Sequence, residues 1–306
     1  MLSYPIIRQL LFKLDPERAH ALTLFLLRQL SHFNKIQSLL PPLDNDPCEV
    51  MGLSFPNRLG GAPGLDKNAE NIDTLGQLGF GHIEVGGVTP RPQAGNPKPR
   101  LFRLLADEAL INRMGFNNRG VDHAVEYLKR RQYKGIIGIN IAKNKDTPLD
   151  KSAEDYVYCL KKVYPYVDFF TINISSPNTP GLRELQNPAY LSDLLATVKE
   201  QQLRLSDQHK KYVRLVVKLS PDLDDLQLAE VAATVESQKI DGVVATNTTL
   251  SRPDLISAES QEAGGLSGKP LRTLSTEMVR KLYDLLPKTI PIIAVGGVMS
   301  AQDAIA

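Results

Sequence analysis

The 306-residue chain carries 42% hydrophobic and 23% charged residues, which provides for a packed core and excludes bulk disorder. Its formal net charge of +2 argues against a concentrated basic nucleic-acid footprint, so no nucleic acid is expected as partner. The two cysteines, Cys48 and Cys159, stand in unrelated segments with no CxxC pair or Cys/His cluster, so neither a metal site nor a disulfide is expected.

Arg8, Lys13, Asp15, Glu17 and Arg18 interrupt the apolar N-terminus, so it does not read as a signal peptide, and no apolar run is long enough to span a bilayer. In the first forty residues Arg8, Lys13, Arg18, Arg28 and Lys35 face only Asp15 and Glu17, a net of about +3 against about −1 for the remainder. Ile6, Ile7, Leu10, Leu11 and Leu14 mark a short helix. Asp15 suits an N-cap and Pro16 a first helical position, and Leu22, Phe25, Leu26 and Leu30 then share one face. Pro41-Pro42 ends this element, which divides the chain into a helical segment, 1–42, and a main domain, 43–306. Two readings of the segment stand: a helical hairpin packed on the domain, or an interfacial anchor or lid over a lipid-like ligand.

From Val50 the chain alternates strand and helix. Val50–Phe55 and Arg58–Ala62 read as a hairpin around Pro56-Asn57. Strands follow at Gly81–Val85, Ile136–Ile141, Phe169–Ile174, Val213–Leu219, Gly242–Thr246 and Ile292–Val295. Helices follow at Glu70–Leu78, Val121–Arg131, Ala153–Val163, Tyr190–Leu205, Leu226–Ser237 and Leu271–Leu285. This is the alternation of an α/β fold with a parallel sheet. With Arg58–Ala62 it gives seven strands, where a (β/α)8 TIM-type barrel needs eight. Ser300 reads as the N-cap of a further helix over Ala301–Ala306, and the last βα unit is expected to be missing.

Polar and glycine residues follow the strands in phase: Gly64–Lys67, Gly86-Gly87 with Thr89, Asn140 with Lys143, Asn173 with Ser175, Ser176 and Asn178, Lys218 with Ser220, Thr246–Thr249, and Gly296-Gly297. In a parallel barrel these points converge on one mouth, where such folds place their sites. Lys218, ending an apolar strand, either snorkels to solvent or meets an anion, and Lys67 at another strand end favours an anion-binding mouth. Ser176 lies in a Ser-Pro-Asn segment with the composition of a turn, and none of the five histidines falls in these clusters, which disfavours a Ser-His-Asp hydrolase. Gly79-Phe80-Gly81 fails the dinucleotide fingerprint because Glu84 occupies the third glycine position, and no GxxxxGK[ST] loop exists. Gly296-Gly297 after an apolar strand fits a barrel phosphate loop.

Several ordered motifs carry a family resemblance: Gly64-Leu65-Asp66-Lys67-Asn68, Val88-Thr89-Pro90-Arg91-Pro92-Gln93, Asn112-Arg113-Met114-Gly115-Phe116-Asn117-Asn118, Asn173–Gly181, Ala245–Thr249, Gly264–Gly268 and Val295–Val298. The chain resembles dihydroorotate dehydrogenase over essentially its whole length. Ser176, where another branch has cysteine, and the helical N-terminus resemble the quinone-dependent, membrane-associated class 2. The resemblance implies FMN across the barrel mouth, with Asn140, Asn173, Lys218 and Thr246 at its ring and ribityl chain. Ala62, Pro63, Gly64, Leu65, Asp66 and Gly87 would lie alongside, with Gly268 and Gly297 at the phosphate. Lys67, Asn112, Arg113, Met114, Gly115, Phe116, Asn173, Asn178, Asn247 and Thr248 would hold the pyrimidine substrate. Ser176 would take the C5 proton of dihydroorotate while hydride passes from C6 to the flavin. Reduced flavin would then meet a membrane quinone entering between the N-terminal helices, at the cytoplasmic face of the inner membrane. Three departures stand out: Gly87 replaces a usual threonine, Pro63 lacks an N–H donor, and the chain ends before the family's last strand. Two rival readings remain: a non-catalytic remnant that binds through its first forty residues, and a soluble class 1 enzyme, against which Ser176 and the N-terminal extension both argue.

Overall fold

A computed structural model describes residues 4–32, 36 and 46–305. Pro41-Pro42 and the 42/43 boundary lie outside the described residues. Two helices come first, α1 (Tyr4–Phe12) and α2 (Pro16–His32). Asp15 caps α2 as its sequence suggests: Oδ1 accepts the Arg18 N–H at 3.1 Å, and its carbonyl accepts that of Ala19 at 2.9 Å.

A short hairpin, β1 (Cys48–Val50) with β2 (Leu53–Phe55), precedes the sheet. The expected hairpin around Pro56-Asn57 is not the one formed. The chain turns instead at Met51-Gly52, both at positive φ, and the next strand, β3 (Gly60–Gly61), pairs in parallel with β4 (His82–Val88). A two-residue turn with positive φ at both positions matches the twist of a hairpin, and Gly52 accommodates it.

The body is a seven-stranded parallel sheet in the order β12-β10-β9-β8-β7-β4-β3. Its other strands are β7 (Ile136–Ile141), β8 (Phe169–Asn173), β9 (Arg214–Leu219), β10 (Gly242–Ala245) and β12 (Ile292–Ala294), each close to its expected range. The helices α3 (Ile72–Gly76), α4 (Val121–Arg130), α5 (Ser152–Val163), α6 (Pro188–His209), α7 (Asp225–Ser237), α8 (Arg272–Leu285) and α9 (Ala301–Ile305) connect or follow the strands. Ser300 caps α9, its Oγ accepting the Asp303 N–H at 3.2 Å. Sequence patterning missed a three-stranded antiparallel sheet, β11-β6-β5, made of β5 (Leu101–Leu104), β6 (Ala109–Asn112) and β11 (Gly265–Gly268). These strands are four residues long, and Leu-Ser-Gly and Phe-Arg-Leu carry too little periodicity to announce themselves.

Period-2 alternation sorts each barrel strand. Ile83, Val85, Ile137, Ile139, Ile141, Phe170, Ile172, Val217 and Val243 join the apolar layer beneath the helices. Phe169, Val216 and Val244 form a separate inner cluster. The residues in phase with them, Glu84, Asn140, Thr171, Asn173, Lys218 and Thr246, therefore face the barrel interior, and all are buried. Apolar inner residues occupy the N-terminal end of the strands and polar ones the C-terminal end.

The floor is closed by β1–β2. Arg214 donates from Nε to the Met51 carbonyl at 2.7 Å and from Nη2 to that of Gly52 at 3.0 Å. The His82 ring lies edge-on to Phe55 and Phe169, with centroids 5.5 and 5.7 Å away, and a Cβ at Gly60 would fall 1.9 Å from it. Burial pushes the His82 imidazole down to about 4. The folded protein thus binds this proton less readily than the unfolded chain does. His82 is neutral in both states above pH 6.5, and stability falls as pH drops from there towards 4, by on the order of 3 kcal/mol. Denaturant midpoints measured across this window should show that slope and should lose most of it in His82→Leu. An unchanged slope in the variant would assign the acid sensitivity elsewhere.

Candidate active site

The polar strand ends open into one cavity of about 990 Å³ that runs from the barrel interior to α2. Its wall contains Ala62, Pro63, Gly64, Leu65, Asp66, Lys67 and Gly87 from the first two strand ends. Asn140, Asn173, Ser176, Asn178, Lys218, Thr246, Asn247 and Thr248 come from the later ones, Asn112 from the end of β6, and Met114, Gly115 and Phe116 from the loop after it. Three anticipated residues stand apart. Arg113 turns away to Glu262, Nη1 to Oε2 at 2.6 Å, and stacks over Phe102. Gly268 and Gly297 lie behind the wall, where their neighbours Ser267 and Gly296 face the cavity.

Backbone zippering sets the first strand end: the Gly64 N–H donates to the Gly86 carbonyl at 2.6 Å, and the Gly86 N–H to that of Asp66 at 2.9 Å. The Asp66 carboxylate is turned away from the cavity's centre, accepting the Glu70 and Asn71 N–H groups at 3.0 and 2.7 Å. Burial pushes this carboxyl up, and those two donors hold it down in part. The loop carrying Phe116 is tied by Asn118, which donates to the Phe116 carbonyl at 2.7 Å and to Thr89 Oγ1 at 2.9 Å. Gly87 is in close contact with that loop: a Cβ there would fall 2.6 Å from the Phe116 ring, so the glycine leaves room that a threonine would take.

Electrostatically the mouth is a cationic well. Lys218 is 7% exposed. Burial pushes its ammonium down, and the charge of Glu84 opposes this. Burial likewise pushes Glu84 up, opposed by Lys218 and by the Asn140 amide, which donates to it at 2.9 Å. Lys67, near the entrance, is pushed down to about 8 by burial and then by Arg100, with Glu17 of α2 opposing. Ser176 is 8% exposed, and its Oγ accepts the Asn178 N–H at 3.3 Å.

Glu84 is the residue that reading the chain for motifs passed over. The available signal was a carboxylate between Ile83 and Val85 in an otherwise apolar strand, at an inward position.

Helix α2 forms the outer wall through Glu17, His20, Ala21, Leu24, Phe25 and Arg28. It is held to the body by the Glu17–Arg100 pair at 3.0 and 3.1 Å and by Gln77, which donates to Ser31 Oγ at 2.8 Å. Arg103 bonds the Leu14 carbonyl at 2.8 Å and sits over the Phe12 ring. Ile6, Ile7, Leu10, Phe25 and Leu26 nevertheless remain 41–55% exposed. No helix among the described residues is long and apolar enough to cross a membrane.

These features define a TIM-type barrel enzyme with its site at the C-terminal ends of the strands. The family model for dihydroorotate dehydrogenase matches residues 47–306, and the chain belongs to that family. A Chromobacterium violaceum protein named dihydroorotate dehydrogenase (quinone) is 52% identical over 303 residues, covering 99% of this chain and 88% of that one. A Proteus mirabilis protein of the same name is 53% identical over 304 residues, covering 98% and 90%. Among solved structures, Eimeria tenella DHODH in complex with ferulenol superposes with a TM-score of 0.85 at 37% identity, covering 95% of this chain and 82% of that one. The ligand-free form of that enzyme gives 0.83 at 36% identity.

Proposed function

We propose that this chain oxidises dihydroorotate to orotate, using FMN in the barrel mouth and a quinone as final acceptor, in pyrimidine biosynthesis. The observation that carries this reading is the single cavity joining the polar strand ends to the half-apolar wall of α2.

The residues present fit a flat, hydrogen-bonding cofactor with an anionic tail. Asn140, Asn173 and Thr246 supply donors and acceptors around a planar ring, and Lys218 supplies positive charge. At the far end Gly296 and Ser267 line the cavity near the start of α8, with Gly297 and Gly268 just behind them. Backbone without side chains at the start of a fourteen-residue helix suits a phosphate. Bound there, FMN supplies acceptance of the hydride equivalent and its delivery as electrons to the quinone.

The protein's own residues do the rest. Lys67 holds the substrate carboxylate, while Asn112, Asn178, Asn247 and Thr248 grip the polar ring edges and so fix C5 towards Ser176. Ser176 Oγ takes the C5 proton as the C6–H bond breaks, and the proton leaves through the polar segment around Thr179. Lys218 favours the negative charge that accumulates on reduction. The exposed apolar residues of α1 and α2, set among Arg8, Lys13, Arg18 and Arg28, suit residues 1–42 to peripheral contact with an anionic membrane, at the cytoplasmic face of the inner membrane, where α2 opens the cavity to a quinone. Steady-state orotate formation should depend on an added short-chain quinone. Formation driven equally by fumarate, with no quinone response, would contradict this reading.

Lys67 adds a pH signature. Its charged form binds the carboxylate, so orotate affinity of the holoenzyme should be flat below pH 8 and weaken up to tenfold per pH unit above it. Lys67→Arg, which does not titrate in this range, should abolish the fall-off in a calorimetric titration. A fall-off that persists in that variant would remove Lys67 from the carboxylate site.

A further inference from the structure

Arg183 and Asp222 do not line the cavity, yet between them they join the loops after β8, β9 and β10. Arg183 stands on a single helical turn, Leu182–Gln186, that follows the β8 loop. Its guanidinium donates in three directions: from Nε to the Ser175 carbonyl at 3.1 Å, from Nη2 to the Thr248 carbonyl at 3.1 Å, and from Nη1 to Asp222 Oδ2 at 2.7 Å. Asp222, in the loop after β9, reaches on to the β10 loop: Oδ2 also accepts the Leu250 N–H at 2.9 Å, and Oδ1 accepts the Thr249 hydroxyl. The helical turn is tied to the β9 loop a second time by Gln186, whose Oε1 accepts the Ser220 N–H at 2.9 Å.

The two carbonyls belong to the site. That of Ser175 is part of the peptide leading into Ser176, and that of Thr248 belongs to a residue that lines the cavity beside Asn247. Ser176 Oγ itself is bonded only to the Asn178 N–H of its own loop, a contact that does not set where the loop stands against β10. A guanidinium is planar and holds its N–H groups at fixed angles. Bonded to both carbonyls, it sets the spacing of the two loops, and the Asp222 carboxylate keeps its plane from turning. The role is geometric: both side chains are 23% exposed, where an ion pair contributes little to stability.

We propose that Arg183, held by Asp222, is a positioning residue that fixes the base Ser176 against the substrate gripped by Asn247 and Thr248. This rests on the functional reading above, in which Ser176 takes the C5 proton. A shift of about 1 Å between a base and the proton it removes can cost about 10²-fold in rate. A lysine at position 183 keeps the charge but not the planar fork, so it cannot serve both carbonyls and the carboxylate in the same geometry.

The test is a double-mutant cycle of Arg183→Met and Ser176→Ala, read as single-turnover flavin reduction of the FMN-loaded enzyme at saturating dihydroorotate. Arg183→Met should slow reduction by about 10²-fold while Ser176 is present. It should slow reduction by less than about threefold once Ser176 is alanine, because no base is left to misplace. A merely structural Arg183 slows both backgrounds alike. Should Arg183→Met yield no folded holoenzyme, Arg183→Lys carries the same cycle, since it keeps the charge facing Asp222. Equal losses in the two backgrounds, or a parental rate in the Arg183 variant, would overturn the clamp while leaving the functional reading intact. Failure of dihydroorotate to reduce the unmodified holoenzyme would overturn both.

Discussion

Ser176→Ala is expected to lower the rate of substrate-driven flavin reduction by roughly 10²–10⁴-fold, the contribution of a positioned general base. Flavin content and orotate affinity should change only a few-fold. The asymmetry follows from position: Ser176 Oγ lines the cavity, but its one described hydrogen bond is to the Asn178 N–H, so its removal dismantles little of the wall. No histidine or carboxylate hydrogen-bonds to Ser176 among the described residues, so the proposed role as base requires a relay. Single-turnover bleaching of the flavin isolates this step from quinone chemistry. A variant reducing within fivefold of the parent would remove Ser176 from the role of base.

The second large effect concerns Lys218. Lys218→Met should lose the charge that favours the reduced site and slow flavin reduction by about 10²–10³-fold. It should also destabilise the fold, because the charge of Lys218 then no longer opposes the cost of burying Glu84. The two losses are separable. Adding Glu84→Gln to Lys218→Met removes the orphaned charge and should restore most of the stability, measured by denaturant unfolding, with no recovery of reduction rate. Recovery of both together would mean that Lys218 acts on the fold alone.

Much of this site was legible in the chain because parallel strands impose a strict rule: whatever follows each apolar run arrives at the same rim. Asn140, Asn173, Lys218 and Thr246 were found that way, and all four line the cavity. Strand ends are announced by a change from apolar to polar residues, a strong local signal. The β5–β6–β11 sheet, by contrast, joins segments more than 150 residues apart through four-residue strands, which leave no periodic trace. The hairpin at Met51-Gly52 was misread because Pro56-Asn57 carries the stronger turn composition, whereas positive φ at a methionine is not written in residue type. Glu84 is the most instructive miss: it lies off the cavity wall, and its partners Asn140 and Lys218 come from strands distant in the chain. Arg113, read from its motif as a substrate contact, spends its guanidinium on Glu262 and Phe102 instead, an outcome fixed by partners distant in the chain.

The N-terminal helices hold to the barrel on one side and leave apolar side chains open on the other. Glu17 and Ser31 bond to the barrel, while Leu10, Phe25 and Leu26 remain open to the surroundings. The proposed quinone port between these helices and the barrel mouth rests on that two-sided character.

The measurement that tests the central claim most directly is the anaerobic visible spectrum of the FMN-loaded protein before and after addition of dihydroorotate. The account predicts a flavin spectrum that bleaches on addition and returns when a quinone is admitted. A flavin spectrum unchanged by dihydroorotate, or a protein that retains no flavin when FMN is supplied, would contradict it.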